Sequence, residues 1–430
     1  MSDVDEAVTR AHREGWARVV AALTRRFGDL DIAEESAAEA FATAVERWRA
    51  DGVPPNPGAW LTTTANRKAI DRIRRENKRD DKHEEARLVH DDDPPEPPGA
   101  IDDDRLRLIF TCCHPALAPQ TRVALTLRMV GGLTVPEIAR AFLVAETAMG
   151  QRITRAKTKI KAARIPYRVP SAEDLPARVT GVLTVLFLVF NEGYLATGPD
   201  TDPVRHDLTA EAIRLTRLIR ALLPEDGEVA GLLALMLLTE ARRPARVSAD
   251  GELVALHEQD RGAWDPALIA EGHRLVRERL AAAAAGVAPG RYQVLAAINA
   301  VHTSARDARD TDWSQVLALY DRLVRLDPSP VVALNRAIAV AELDGPEVAL
   351  AAVERLGDEL ARYHAYHATR ADLLRRLGRS EQSRAAYDTA IELAGNTAET
   401  AYLTRRRDQL GWSPPGAATE TRPSPPVEGR

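Results

Sequence analysis

The stretch from Thr134 to Arg164, TVPEIARAFLVAETAMGQRITRAKTKIKAAR, constrains this chain more than any other. It predicts a short helix, a turn and a longer helix. In the longer one Met149, Ile153, Ala156 and Ile160 recur at steps of four, three and four residues, which makes one buried stripe. Thr147, Gln151, Thr154 and Arg155 lie off that stripe, and Arg152, Lys157, Lys159, Lys161 and Arg164 flank it. From Gln151 to Arg164 there are six basic residues and no acid. This is the layout of a helix-turn-helix recognition helix, whose early turns meet base edges while longer cations meet phosphates. Any docked surface helix could show the same amphipathicity; the one-sided charge favours DNA.

At 430 residues the chain exceeds one ordinary core and predicts about two to four domains. It is rich in Ala, Leu and Arg, 45% hydrophobic and only 5% aromatic, which predicts an all-α protein. The net charge of -5 means that DNA binding must rest on local basic surfaces, not on global charge. The two cysteines, Cys112 and Cys113, are adjacent, which excludes a disulfide framework. With His114 they could be read as part of a metal site, but IFTCCHPAL reads better as a partly buried helix end. The amino terminus is charged and has no signal-peptide core, and the longest apolar run, Val182–Phe190, is too short to span a bilayer. A cytoplasmic protein without a membrane partner is expected.

Residues 5–49 predict two helices around Phe27-Gly28-Asp29, with Asp31 capping the second and Glu34 completing a capping-box variant. Glu34, Glu35, Glu39 and Glu46 give that second helix an acidic face, which is either simply solvated or fit to dock a basic helix. After GVPPNPG a helix runs from about 59 to 78, with Leu61, Ala65, Ala69 and Ile73 along its apolar line. Arg67 to Lys82 holds eight basic and four acidic residues, so it forms ion pairs along the helix or tracks a nucleic-acid backbone. His90–Asp104, with seven acids and four prolines, reads as a linker, and residues 413–430 as a disordered tail. Beyond Ser171 come Ala/Leu-rich helices near 208–222, 227–241 and 266–285. Segments of 34, 33 and 33 residues then start at Trp313, Glu347 and Ser380, close to the tetratricopeptide period.

Three segments, DIAEESAAEAFATAVERW, WLTTTANRKAIDRIRRENKR and TVPEIARAF…ETAMGQRITRAKTKIK, resemble in sequence and order a bacterial RNA polymerase sigma factor of the extracytoplasmic-function class. The likeness covers about residues 8–165. LFLVFNEGYLA, ALMLLTEARRPAR and LHEQDRGAWD resemble the carboxy-terminal extension of long members. The resemblance implies region 2 over 5–85, a linker over 86–104, region 4 over 105–168, a helical extension over 171–305 and repeats over 313–412. It implies that Glu34, Glu35 and Glu39 face core RNA polymerase, and that Asn66, Arg67, Arg74 and Arg75 hold the melted strand. An unstacked -10 base would enter near the loop between Trp48 and Trp60. Thr147, Gln151 and Arg155 would read -35 base edges, with Arg152, Lys157 and Lys159 on phosphates. No cofactor, metal or bond chemistry is implied.

The extension also holds a polar series, Glu192, Tyr194, Glu240, Arg242, Arg243, Asp250, Glu252, His257, Glu258, Asp260 and Arg261, that could in principle serve acid-base work or sense a ligand. No nucleotide-binding, zinc-protease or nucleophile-elbow motif accompanies it. Residues 171–412 are therefore expected to fold as an independent unit that binds protein, with the break at Pro166–Pro170 letting the DNA-reading modules swing. The competing reading is a dimeric helix-turn-helix regulator with a sensory carboxy-terminal half.

Overall fold

The computed structural model describes residues 3–80, 104–141, 144–171, 173–196, 204–248 and 251–411. The acidic linker and the Pro-rich tail expected from sequence fall, but for Asp104, outside the described residues. The described chain is helical and divides into two compact units, residues 1–245 with 260–311, and residues 246–259 with 312–430.

The first unit opens with α1 (Asp3–Phe27), α2 (Leu30–Asp51) and α3 (Pro57–Asp80), which pack on one another. Gly28 turns the chain between α1 and α2 at φ 67°, a conformation that favours glycine. The residue that caps α2 is Asp29 rather than the expected Asp31. Its extended backbone lets one carboxylate oxygen accept from the backbone N–H groups of Asp31 and Ile32. Asp31 already lies inside the first turn. The expected apolar line of α3 is buried at Leu61, Ala65 and Ala69.

Next come α4 (Asp104–Cys112), α5 (Pro119–Met129), α6 (Val135–Ala141) and α7 (Glu146–Ala162). Met149, Ile153, Ala156 and Ile160 are all buried, as their spacing requires. Cys112 and Cys113 end α4 in the core, where Cys113 Sγ lies 3.6 Å from Thr126 Oγ1. Helices α8 (Leu175–Tyr194), α9 (His206–Leu222), α10 (Gly227–Glu240), α11 (Pro266–Ala284) and α12 (Arg291–Ser304) complete the unit. From Val229 to Glu240, α10 is buried on every side, the pattern of a central helix. It meets α12 so closely that a Cβ on Gly231 would lie 2.5 Å from the Gln293 backbone nitrogen.

The expected hinge at Pro166–Pro170 does not separate the DNA-reading modules from the extension. One apolar core runs from Trp16 to Ala300, and α8 packs on both α4 and α5. Arg178 of α8 donates to the Phe110 carbonyl at 2.7 Å, and the Tyr167 hydroxyl donates to the Ala21 and Asp104 carbonyls. Helices α4 and α5 carry apolar residues on more than one face, so they bury against neighbours on both sides.

The second unit contains α13 (Trp313–Leu326), α14 (Pro330–Leu343), α15 (Pro346–Glu354), the short α16 (Gly357–Leu360), α17 (His364–Arg376), α18 (Ser380–Leu393) and α19 (Thr397–Asp408). Sequence neighbours pair by short connections, and each repeat segment holds two main helices, with α16 interrupting the second segment. The core comes from Leu334, Val340, Leu350, Val353, Leu373, Leu374, Tyr387 and Leu403 among others. Residues 246–259 belong to this unit although they lie between α10 and α11 in sequence. They form a small antiparallel bridge, Val247 to Leu253, held to α19 by Arg405 with Glu252 at 3.2 Å and Glu258 at 3.3 Å.

Candidate nucleic-acid interface

The recognition-helix candidate α7 is presented by a tight α5–α6 connection. Gly132 adopts φ 68°, and a Cβ there would lie 3.1 Å from the Trp16 ring. Thr134 and Glu137 then cap α6 reciprocally: the Thr134 N–H donates to Glu137 Oε2 at 2.7 Å, and the Glu137 N–H reaches Thr134 Oγ1 at 3.4 Å. On α7, Thr147, Gln151 and Arg155 are exposed on the side away from the buried stripe. Arg155 donates to Gln151 Oε1 at 3.3 Å, so the two side chains stand together one turn apart. Lys159 is exposed, its Nζ donating to the Ala116 carbonyl at 2.5 Å, while Arg152 is half-buried.

On α3, Arg67, Arg74 and Arg75 are exposed, and Asn66 is half-buried with an enclosed Oδ1 that accepts no hydrogen bond. The cations between them turn inward along the helix pair: Arg72 contacts Glu35, and Lys68 lies 3.8 Å from Glu39. Two of the three expected polymerase-facing glutamates of α2 therefore already carry cationic neighbours from α3. Trp48 is buried edge-on to Trp60, with ring centroids 5.6 Å apart.

Glu34 and Lys157 lie elsewhere than expected. Sequence spacing put both on outward faces; instead they are 8% and 9% exposed and meet each other. Lys157 Nζ lies 2.7 Å from Glu34 Oε2 and 2.5 Å from Asp31 Oδ1. Arg128 of α5 reaches Glu34 Oε1 with Nε and Nη2, both at 2.6 Å, and its Nη1 donates to the Leu133 carbonyl. Its guanidinium also stands 5.6 Å from the Trp16 ring centroid, and Trp16 Nε1 donates to the Arg128 carbonyl. Lys161 closes the group on Asp29 at 2.8 Å. The physical reason is charge balance: the three acids of the first turns of α2 face three cations of α5 and α7 across an apolar contact.

Burial alone would raise the Glu34 carboxyl, but the charges of Arg128 and Lys157 override it and hold the group below its ordinary value. Burial alone would likewise lower the Lys157 ammonium, and Glu34 with Asp31 holds it above. Both groups are thus kept charged by each other. Sequence reasoning missed Asp29, Arg128 and Trp16 as members of this site. A signal existed for Arg128: it is a single cation in the apolar run VALTLRMVG, where a charge has to find a partner.

The polar series of the extension does not converge on one site. Glu240 is buried and takes His206 Nδ1 at 2.9 Å and Arg243 Nε at 2.8 Å. Arg261 donates to the His302 and Ala305 carbonyls, Asp260 caps a turn, and within the second unit Glu252 and Glu258 serve Arg405. Asp250 lies outside the described residues. Among the described residues no group of three or more metal-ligating side chains comes together, and no helix is long and apolar enough to cross a membrane.

Comparison with known proteins gives three family matches. Residues 16–79 match sigma-70 region 2, residues 107–160 match sigma-70 region 4, and residues 178–280 match a family of unknown function, DUF6596. An uncharacterized protein of Rhizobium meliloti (strain 1021) is 44% identical over 410 residues, 94% of this chain and 96% of that one. The probable ECF RNA polymerase sigma factor SigI of Mycobacterium tuberculosis (strain CDC 1551 / Oshkosh) is 28% identical over 40% of this chain and 59% of its own length. The ECF RNA polymerase sigma factor SigK of Mycobacterium tuberculosis (strain ATCC 25177 / H37Ra) is 30% identical over 29% of this chain and 67% of its own. With regions 2 and 4 present in order, the chain belongs to the sigma-70 family, a non-catalytic class of transcription regulators, and shares homology at low identity with its ECF members.

Proposed function

We propose that the chain binds core RNA polymerase, reads promoter -35 and -10 elements and stabilises melted DNA at initiation. The observation that carries this reading is the exposed face of α7, where Thr147, Gln151 and Arg155 stand clear of the buried stripe while Lys159 and Arg152 border them. That face suits the major groove, with Arg155 fit for bidentate pairing to a guanine. On α3 the exposed Arg67, Arg74 and Arg75, with Asn66 beside them, suit a single strand tracked by its phosphates. On α2, Glu35 and Glu39 would meet a basic helix of the polymerase, where charge complementarity sets register. The paired helices of residues 313–411 are read as tetratricopeptide-like repeats, a scaffold that binds protein segments.

Run-off transcription with purified core polymerase and the full chain, on genomic fragments, tests the proposal. Promoter-specific transcripts that need this chain support it. A chain that footprints duplex DNA without polymerase and directs no transcript would be a helix-turn-helix regulator instead. The full chain is the right reagent, because cutting after residue 170 would strip α8 from the apolar faces of α4 and α5.

A further inference from the structure

A cleft in the first unit has no part in the proposed function. It lies between α5 and α8 and encloses about 670 Å³, within the range of small-ligand sites. Helical spacing builds its walls. Val123 and Leu127 stand one turn apart on α5, and Val185 and Leu188 stand about one turn apart on α8, so each helix lends an apolar stripe. Val123, Leu127 and Val185 are buried, but Leu188 is 39% exposed, apolar surface that its own chain does not cover.

The two ends of the cleft differ in charge. At one end Arg122 lies against α8 so closely that a Cβ on Gly181 would come within 3.1 Å of its Nη1. Its Nε donates to the Leu117 carbonyl at 2.8 Å and its Nη2 to the Pro115 carbonyl at 3.0 Å. Those bonds fix the guanidinium without neutralising it. Among the described residues no carboxylate pairs with Arg122, and its Nη1 makes no hydrogen bond. Lys159 donates to the Ala116 carbonyl of the same loop. Burial, with the charges of Arg178 and Arg122, also holds the His114 imidazole below its ordinary value, so cations gather at this corner. Glu192, singled out in the sequence, lines the cleft on α8 ~16 Å further along the helix than Gly181 and sets a carboxylate at the other end. A fitting ligand is therefore long, apolar and negative at one end. A second anionic group would meet Glu192, and a cationic head would meet Arg122.

We propose that the α5–α8 cleft binds a monocarboxylic acid with an apolar tail, its carboxylate on Arg122 Nη1 and its tail between Leu127 and Leu188. Guanidinium and carboxylate form a charge-assisted hydrogen bond, and the tail covers the exposed leucine. Such an acid touches region 4 through α5 and the extension through α8, so its binding stiffens the contact between them.

Titration calorimetry of the full chain with decanoate, 1-decanol and decyltrimethylammonium tests it. Decanoate should bind once per chain and at least tenfold more tightly than the other two. Arg122→Gln should erase that preference while leaving the affinity for decanol within twofold. Leu188→Gln, at an exposed position, should weaken decanoate at least fivefold. Decanoate should also slow hydrogen exchange in peptides from α5 and α8 and leave those from α17 and α18 unchanged. Equal affinity for the acid and the ammonium, several molecules per chain, or no saturable decanoate binding up to about 1 mM would overturn the proposal. Undiminished binding by Leu188→Gln would do the same. Should Arg122→Gln fail to fold, the three probes on the unaltered chain and the Leu188→Gln titration decide the matter. None of these measurements involves polymerase or DNA, so failure of the cleft and failure of the sigma reading are told apart.

Discussion

Replacing Glu34 by Ala leaves two cations facing a gap, and the structure allows the cost to be worked out. Removing one partner of a buried ion pair costs about 3–5 kcal/mol when the remaining charge has nothing else. Here each cation keeps something: Lys157 retains Asp31 at 2.5 Å, and Arg128 retains the Leu133 carbonyl and the Trp16 ring. The expected loss is therefore about 2–3 kcal/mol, below the bare-charge range. Lys161→Ala is the control. Its ammonium is 76% exposed, so losing its pair with Asp29 costs about 0–1 kcal/mol. Hydrogen exchange read on peptides from α7 and the first turns of α2 reports local opening directly. At about 1.4 kcal/mol per tenfold, Glu34→Ala should speed exchange there by roughly 30- to 150-fold, and Lys161→Ala by about fivefold at most. Peptides from α10, inside the central core, should not change. Equal effects of the two substitutions, or less than threefold for Glu34→Ala, would show that the buried carboxylate does not hold the modules together.

The same contact should have a defined pH window. Glu34 is held below its ordinary 4.5, so its contribution is full above that value and is lost as pH falls through the lowered one. Lys157 is held above its ordinary 10.5, so its contribution is full below that value and is lost as pH rises through the raised one. Exchange protection should therefore be flat from about pH 5 to 10, and a decline centred near pH 7 would contradict the assignment. On α7, Arg155→Ala should erase about 1–3 kcal/mol of preference at one -35 base. Lys159→Ala should weaken all promoters alike and lower the salt slope by about one phosphate; a promoter library separates the two. Gly231→Ala forces a methyl to 2.5 Å from the Gln293 backbone nitrogen, which has no room to yield. It should cost about 1–3 kcal/mol or more, visible as a lower urea midpoint for the first unit. Burial pushes the Cys113 thiol up to about 12, so native alkylation near neutral pH should be far slower than in urea.

The parts that were legible in the sequence are those set by periodicity. Met149, Ile153, Ala156 and Ile160 announced a buried stripe, and Leu61, Ala65 and Ala69 another, because a helix fixes which residues share a face. The misread residues are those whose fate depends on a partner far along the chain. Lys157 borders the stripe of α7 just as Arg152 does, and nothing within the helix tells that acids 123 and 126 residues earlier will cover it. Glu34 was legible as acidic and outward from its own helix, but not as inward to a contact between modules. The choice of Asp29 over Asp31 as cap turned on one extended backbone angle, which either residue could have adopted. Helix α12 went unforeseen because its buried residues Tyr292, Val294, Ala296, Ile298 and Ala300 fall on alternate positions rather than at helical steps.

The excursion of residues 246–259 into the second unit bears on how such a protein can be inherited. The chain leaves the first unit after Ala245, returns at Asp260 and leaves again at Asp312. A gene joined or split at the single junction near residue 311 would part the hairpin from its anchor. It would leave Arg405 facing no Glu252 or Glu258, and those two glutamates attached to the wrong product. The repeats can therefore be exchanged by recombination only as two separate pieces at once. A single crossover there would break the repeat unit, so the amino-terminal modules and the carboxy-terminal repeats should descend together.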